Sequence, residues 1–294
     1  MTKQRYFGCL RNRRFMLVVA SAALAAGGCA QPARPPANLA ATPSAPAHAP
    51  APSQPAIGRS PAARNSPVLV KQPEALDLLK RMSDTLGSAH AFTFRSRSTI
   101  EVPAKSGQFV TLIANSEVAL ERPDKLRVHV TGEVRNFEFY YDGSSITAFD
   151  PKADVYSSRP APGTIDEMLK FVEQQTGIYF PSADVMYSNP YAVLSEGLTS
   201  AFVVGSATVD GHSCKHLAFR SPGVNWEIWV DTGPRAIPRR LAVTYTNVTN
   251  FPRFLVEFSN WNFHPKLSAA QFVFKKPRNA GRVEFRPGQA GQRL

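Results

Sequence analysis

The stretch VDGHSCKHLAFR, residues 209–220, places a cysteine between two histidines at two-residue spacing. Imidazole nitrogens and thiolates are common zinc ligands, and a Cys–His pair can also act as nucleophile and base. In an extended strand, residues four apart are separated by about 13 Å, whereas a zinc ligand atom lies about 2.0–2.3 Å from the metal. His212 and His216 therefore cannot hold one ion from a flat strand. We expect Cys214 to be a buried small residue and His216 an ordinary strand residue.

The other residue types that support catalysis are scattered along the chain. The SEG and SPG tripeptides lack the strand–turn–helix context of a nucleophile elbow, and no glycine-rich loop is placed to bind phosphate. His90, His129 and His264 are isolated, while Asp142 and Asp150 fit a turn position and a strand end. We therefore predict no catalytic residue, no metal and no cofactor. A hydrolase with dispersed residues stays open as an alternative.

Residues 1–28 have the features of a secretory signal peptide, with five basic residues before the apolar run FMLVVASAALAAGG. That run is shorter than the about 20 residues that span a membrane. The segment LAAGGCAQ resembles the lipobox of bacterial lipoproteins, in which the cysteine after the cleavage site is acylated. Gly28 fits this pattern, Ala26 departs from it, and Cys29 is the predicted lipidation site. The alternatives are ordinary signal-peptidase cleavage after an A-x-A site such as Ala23-Leu24-Ala25, or a twin-arginine signal that RRFML resembles only loosely.

Residues 29–66 are predicted to be the lipidated cysteine followed by a Pro/Ala-rich linker, which has no acidic residue and almost no large apolar one. Such a segment cannot bury enough surface to fold and behaves as a semi-extended spacer. A spacer after an acylated cysteine would hold a periplasmic domain away from the membrane. Ala30 resembles the residue that, in enteric-type lipoproteins, accompanies sorting to the outer membrane. We therefore expect a periplasmic lipoprotein anchored to the outer membrane.

The net charge of +12 lies mainly outside the predicted domain. Residues 67–274 carry 20 basic and 21 acidic side chains, whereas basic residues dominate the signal segment, the linker and the C-terminal tail. A nearly neutral domain offers no broad cationic face, so we expect no nucleic-acid partner. Residues 277–294 are predicted to form a basic flexible tail. With Cys29 acylated, Cys214 has no disulfide partner in the mature chain.

Residues 67–276 have the pattern of one α+β domain. In QPEALDLLKRMSDTLGSA, apolar residues recur every three or four positions, which predicts a helix. Later segments alternate with period two around two Asp-Gly turns and predict about eleven strands. In GTIDEMLKFVEQQTG, Thr164 and Glu167 have capping-box spacing and predict a second helix, and PSADVMYSNPYAVLSEG predicts short ones. We expect a sheet that is antiparallel throughout, with helices covering one face.

Several segments of this domain also carry a family resemblance. They are ALDLLKRMSDTLGSAHAFTF, EVALERPDKLRV, FYYDGSSITAFDPKADVYSSRPAPGTIDEML, DVMYSNPYAVL, VDGHSCKHLAFR, WEIWVD and FSNWNFHPKLSAAQFVF. Their order and spacing, over residues 73–276, resemble a bacterial family of predicted periplasmic proteins, domain of unknown function 2092. The resemblance implies the fold of the outer-membrane lipoprotein carriers and receptors, the Lol-type fold. In that fold an incomplete antiparallel β-barrel is closed by helices over an apolar cavity that takes acyl chains.

Apolar residues at alternating strand positions give the candidate binding face. Shared strand parity and the resemblance together predict that a lipid or lipoprotein acyl chain binds under the helices of residues 164–196. The predicted ligand-binding residues are Leu126, Val128, Val130, Phe137, Phe139, Trp226, Ile228 and Leu241. Parity is secure only within each strand, because register decides whether the faces of different strands coincide. The alternative is an envelope sensor or scaffold that binds a protein partner and has a filled core.

We predict that Cys29→Ser releases the protein into the soluble periplasm and abolishes labelling by a fatty-acid probe, because serine lacks the thiol that is acylated. Fractionation of the cell envelope and detection of the probe in the gel measure the two effects. Cys214→Ala is the matched control and should change neither. Unchanged membrane association of Cys29→Ser, with no labelling of the native protein, would favour the soluble periplasmic alternative.

Overall fold

The computed structural model describes residues 70–133, 136–161, 163–176 and 181–284. In these ranges the chain forms three α-helices and a twelve-stranded sheet. The helices are α1 (Pro73–Gly87), α2 (Ile165–Thr176) and α3 (Pro190–Leu194), with a 3-10 helix at Pro181–Met186. The strands are β1 (Ala91–Pro103), β2 (Phe109–Glu121), β3 (Lys125–Gly132), β4 (Asn136–Tyr141), β5 (Ser145–Asp150), β6 (Val155–Pro160), β7 (Ser200–Val209), β8 (His212–Ser221), β9 (Val224–Asp231), β10 (Pro238–Tyr245), β11 (Arg253–Asn262) and β12 (Gly281–Arg282). None of the helices in these ranges is both long and apolar enough to cross a membrane.

Two antiparallel meanders, β1 to β6 and β7 to β11, build the sheet. The strand order is β12-β6-β5-β4-β3-β2-β1-β11-β10-β9-β8-β7. Strand β1 pairs with β11, which places Ser96 opposite Phe258 and joins the two meanders at the centre of the sheet. The predicted fold class is therefore confirmed: this is an α+β domain whose open, curled sheet is an incomplete barrel. The signal segment and the linker lie outside the described residues.

Both edges of the sheet depart from the predicted pattern. Strand β12 pairs in parallel with Val155 and Tyr156 of β6, and Lys71 forms a parallel bridge with Ala201 of β7. An uncovered edge exposes unpaired backbone N–H and C=O groups, and these short pairings satisfy part of each edge. The prediction of a sheet that is antiparallel throughout is therefore wrong at its two edges.

The segment after β11 packs on the outside of the sheet. The Phe274 ring contacts the rings of Tyr140, Phe149 and Tyr156, with centroids 5.2–5.6 Å apart, and Phe272 is fully buried. The chain then reaches β6 and adds β12 to it. The predicted start of the flexible tail at residue 277 is therefore too early, because burial of these aromatic rings and the β12 pairing hold the chain against the sheet. Residues 285–294 lie outside the described ranges.

Helix α1 buries its apolar stripe against strands of the second meander. Its proline at the first helical position suits a site where no intrahelical N–H donor is needed. Ala75, Leu79, Met82 and Leu86 have no exposed surface, and the helix packs on β7 and β9. The helix that the three- and four-residue spacing predicts is thus confirmed.

Helix α2 begins with the predicted capping box. The Glu167 N–H donates to Thr164 Oγ1 at 3.2 Å, and the Thr164 N–H donates to Glu167 Oε2 at 3.1 Å. Both bonds satisfy groups that a helix start otherwise leaves unpaired. The Ile165 N–H donates to the Pro123 carbonyl oxygen at 2.8 Å, which ties the helix to the turn between β2 and β3. Ile165 and Met168 are then fully buried.

Arg122, at the end of β2, joins the helices to the sheet. Its guanidinium donates to backbone carbonyl oxygens of two segments that flank α1 and the 3-10 helix. The acceptors are Leu86 (3.4 Å), Ala89 (3.2 Å), Met186 (3.1 Å) and Tyr187 (2.8 Å). An arginine has five N–H donors in a fixed plane and no other side chain could serve as many acceptors at once.

We predict that Arg122→Ala lowers the free energy of unfolding by about 3 kcal/mol, because it leaves partly buried carbonyl oxygens without donors. Urea unfolding of the purified protein measures the change. Arg97→Ala is the matched control: it removes an exposed arginine from β1 and should change stability by less than about 0.5 kcal/mol. Equal effects of the two substitutions would contradict the role given to Arg122.

Candidate functional site

The eight predicted ligand-binding residues point to one side of the sheet. Val128 of β3 lies directly opposite Phe139 of β4, and Ile228 of β9 lies directly opposite Leu241 of β10. Both meanders contribute to a single apolar core that also contains residues of α1 and α2. The face that these helices cover is called the inner face below. Register therefore brings together residues whose common side the sequence alone left open.

The helices divide these eight residues into two sets. The first set is core, at most 6% exposed: Leu126, Trp226, Ile228 and Leu241. The second set is half-buried: Val128, Val130, Phe137 and Phe139. The second set is called the inner strip below. Of the two sets, the inner strip keeps apolar surface that a ligand could contact.

Further half-buried apolar side chains pack against the same core or pair with the inner strip. Ile100 of β1 and Leu169 and Phe171 of α2 are partly buried against the core, and Ala148 lies opposite Phe139. The alternating pattern of β1 could have indicated Ile100. The two α2 residues could not be assigned from sequence, because an apolar helix face does not show which strand it meets.

An open cleft of about 920 Å³ lies at the β6 edge of the sheet. Its lining residues are Ser157, Ser158, Arg159, Pro160, Phe171, Arg282, Val283 and Glu284. The Arg159 guanidinium lies over the Phe171 ring, 4.8 Å from its centroid, and Arg282 Nη2 donates to the Ser158 carbonyl oxygen at 3.1 Å. Sequence reasoning missed this cleft because β12, which supplies one wall, is two residues long and has no recognisable strand pattern.

A row of cross-strand neighbours connects the cleft to the inner strip. Ser157 lies opposite Ala148, Ala148 opposite Phe139, and Phe139 opposite Val128. Adjacent strands are about 4.8 Å apart, so the row spans roughly 14 Å. Ser157 is 9% exposed and marks the polar end of a row that is otherwise apolar.

Two adjacent tyrosines on β4 lie on opposite faces and are uncharged near neutral pH. Burial raises the pKa of Tyr140 to about 12, and its hydrogen bond to Glu138 adds to the shift. Burial likewise raises the pKa of Tyr141 to about 12, reinforced by Asp124 and other nearby carboxylates. Tyr141 is fully buried on the inner face. Neither phenol is therefore poised to act as a base.

The HSCKH residues take part in separate contacts. Cys214 is 1% exposed. The His216 ring stacks on Trp229 with centroids 4.0 Å apart, whereas His212 Nδ1 lies 3.4 Å from Asp231 Oδ2 near the turn. The predictions of a buried cysteine and an ordinary strand histidine are confirmed. Within the described ranges, no group of three or more His, Cys, Asp and Glu side chains is placed to hold a metal ion.

The chain belongs to the family of predicted periplasmic proteins DUF2092, whose model matches residues 75–286. This confirms the resemblance found in the sequence. No curated protein is significantly similar to the chain in sequence.

Solved structures similar to this chain include a lipoprotein, the protein LprF and a LolA-superfamily protein. Lipoprotein LppX of Mycobacterium tuberculosis is 14% identical, with a TM-score of 0.43 over 67% of this chain and 100% of that one. LprF of Mycobacterium bovis is 14% identical, with a TM-score of 0.39 over 72% and 100%. A LolA-superfamily protein of Nitrosomonas europaea is 10% identical, with a TM-score of 0.33 over 68% and 97%. These likenesses are distant, so function has to be inferred from this chain's own side chains.

We predict a pH-dependent stabilisation by Asp231, which is 9% exposed. Burial alone would raise the pKa of this carboxyl, but the Gly233 N–H and Arg239 lower it below its ordinary value. A lowered pKa stabilises the folded state above the unfolded value of about 3.9, and this contribution is lost as the pH falls through the folded pKa. Asp231→Asn should therefore lower the free energy of unfolding by about 2 kcal/mol at pH 7 and by less at pH 3.

Urea unfolding at the two pH values measures this difference. Asp210→Asn is the matched control, because Asp210 is exposed in the neighbouring turn at a positive φ of 48°, which asparagine also tolerates. This substitution should leave the free energy of unfolding unchanged at both pH values. An Asp231→Asn effect that is the same at pH 3 and pH 7 would contradict the ionic role.

Proposed function

We propose that this protein binds a lipid or a lipoprotein acyl chain along the inner strip, beside α2, in the cell envelope. The observation that supports this most is the incomplete cover of the inner face. Val128, Val130, Phe137 and Phe139 are apolar and helix-facing, yet each stays half-buried. A contiguous apolar surface on a folded protein often marks a binding site. An acyl chain offers a matching apolar surface without requiring specific polar contacts.

The size of the hydrophobic effect is sufficient for useful binding. Burying a chain of about 16 methylenes contributes on the order of 13 kcal/mol. Association costs at least about 4 kcal/mol in lost freedom of motion. At most roughly 9 kcal/mol remains, which corresponds to a dissociation constant of about 0.3 μM or weaker.

The proposed location follows from the N-terminal sequence. Cys29 is the lipid anchor, the Pro/Ala-rich spacer holds the domain off the bilayer, and Ala30 favours the outer membrane. Membership in a family of predicted periplasmic proteins supports the compartment. In this arrangement the tether keeps the binding face within reach of envelope lipids.

The second candidate is an envelope sensor or scaffold that binds a protein partner. It is favoured by two exposed apolar side chains on the edge strand β7, Phe202 (39% exposed) and Val204 (51% exposed). An edge strand can accept a strand from a partner protein. In this case the inner strip would be part of the core and would take no ligand.

We predict that Val128→Phe weakens binding of a dansyl-labelled fatty acid by about tenfold or more, because the larger ring occupies space on the inner strip next to Phe139. A tenfold loss corresponds to about 1.4 kcal/mol. Fluorescence titration measures the affinity, and circular dichroism with thermal unfolding shows whether the domain stays folded. The matched control is Thr131→Phe, which adds a ring to an exposed position of the same strand and should leave binding unchanged.

Two results would contradict the proposal. One is that the native protein binds no acyl probe at all. The other is that Val128→Phe destabilises the domain while the probe affinity of its folded fraction is unchanged. The first result would leave the protein-binding candidate as the better account of the exposed β7 edge.

A further inference from the structure

We infer that one end of the sheet docks on a lipid bilayer, with the exposed ring of Phe251 inserted between the lipids. This end, called the docking end below, is formed by the β1–β2 and β8–β9 turns and by the β10–β11 loop, residues 246–252. The inference adds an interaction surface to the proposed function, and it rests on that function for the reason to approach a bilayer. Its support is the conformation of Phe251, the exposure of the inner face and the place where the chain enters the domain.

Phe251 is an exposed aromatic residue held in an unfavourable backbone conformation. Its side chain is 59% exposed, the largest fraction among the exposed large apolar side chains of the described residues. Its φ is 49° and that of Asn250 is 66°, in the left-handed region that asparagine tolerates and a bulky residue rarely adopts. Such strain lowers stability and is found often at functional sites. Because an exposed ring gains little packing in return, the strain favours a role that the isolated domain does not show.

Hydrogen bonds of the β10–β11 loop hold this ring in place. The Phe251 N–H donates to the Val248 carbonyl oxygen at 3.1 Å, and the Val248 N–H donates to that of Tyr245 at 3.4 Å. Val248 also packs against the core, and the Thr246 N–H donates to the Gly223 carbonyl oxygen at 2.9 Å, which ties the loop to the β8–β9 turn. The loop has no charged side chain, so inserting its tip places no ionised group in the apolar layer.

The inner face loses its cover toward the docking end. The paired residues Leu120 of β2 and Leu126 of β3 are at most 1% exposed. Nearer the docking end, Leu112 of β2 and Val130 of β3 are half-buried. Phe137 of β4, opposite Val130, is half-buried as well. On these three strands the inner face opens toward the docking end, where an acyl chain leaving a bilayer would enter.

The chain enters the domain at this same end. Lys71 forms its bridge with Ala201 near the start of β7, and the start of β7 pairs with the end of β8. The β8–β9 turn follows directly and is bonded to the loop that carries Phe251. The predicted anchor Cys29 precedes this point of entry, so the end of the sheet nearest the tether is also the end with the exposed ring. A tether raises the effective concentration of the second contact, so one inserted ring suffices for docking.

The test measures co-sedimentation of the mature chain with lipid vesicles, using Cys29→Ser so that the predicted anchor makes no contribution. With vesicles of phosphatidylethanolamine and phosphatidylglycerol, Phe251→Ala should lower the partition coefficient by about tenfold, because much of a phenylalanine side chain is withdrawn from the apolar layer. Phe251→Trp should keep native binding, because tryptophan is favoured at the membrane–water interface. Val273→Ala is the matched control: Val273 is 46% exposed on the outside of the sheet, beside Phe274, and its truncation should leave the partition coefficient unchanged. Equal losses in Phe251→Ala and Val273→Ala would overturn the inference.

Two further measurements separate insertion from other roles of the ring. Raising the salt concentration from about 0.1 to about 1 M shortens the Debye length from about 10 to about 3 Å, and insertion of an uncharged tip should persist. Phe251→Ala should keep the native Tm, and the Tm of Phe251→Gly should be equal or higher, because glycine adopts a positive φ without strain. Loss of vesicle binding at high salt, or a lower Tm in both variants, would overturn the inference, since the contact would then be electrostatic or the ring a packing residue.

The outcomes also separate docking from acyl binding. Without vesicles, Phe251→Ala should leave the affinity for a dansyl-labelled fatty acid unchanged, because Phe251 lies outside the inner strip. Vesicle binding by a native protein that takes no acyl probe would support docking and overturn the proposed function. Acyl binding without vesicle binding would do the reverse and leave a protein partner as the occupant of the docking end. A native dimer that Phe251→Ala dissociates in analytical ultracentrifugation would overturn bilayer docking in favour of a second copy of this chain.

Discussion

The contact between the Arg122 guanidinium and four backbone carbonyl oxygens determines how the helices lie on the sheet. Leu86 lies in the last turn of α1, Ala89 follows that helix, and Met186 and Tyr187 lie at the end of the 3-10 helix. Burial lowers the pKa of Arg122, and the nearby charge of Asp166 opposes that shift. An arginine remains charged under such a shift, so its donors stay available. Asp166 in turn accepts from the Ser188 N–H at 2.8 Å and so holds the 3-10 segment near the start of α2.

One consequence of this arrangement is that the inner face has two environments. Helix α1 packs on β7 and β9, and Trp226, Ile228 and Leu241 of the second meander are core. On β3 and β4 the inner strip stays half-buried, although Ile165 and Met168 of α2 belong to the same core. The same alternation of apolar residues therefore produces a packed core at one end and an accessible apolar surface at the other. Helix placement, rather than strand composition, makes the difference.

The sequence predicts the local structure of this domain well. Helix α1 follows from its apolar spacing, the start of α2 from Thr164 and Glu167, and the strands from their alternation, because each of these signals acts within a few residues. It does not predict the pairing of β1 with β11, since no local pattern identifies a partner strand from the far end of the domain. Nor could it reveal Arg122 as the common donor, because backbone carbonyls carry no sequence signature.

The candidate site was predictable only in part, because strand parity is a local signal and strand register is not. Parity placed the eight apolar residues on strand faces, but only register united them and only the helices separated core from surface. The charged cleft at the β6 edge is lined by residues that are distant in sequence and come together only through β12. This division has a physical meaning for recognition. Apolar contact along the inner strip supplies binding energy that any chain of similar length can obtain, whereas discrimination between ligands requires polar groups whose partners differ. The inner strip alone therefore does not select between chains of similar length.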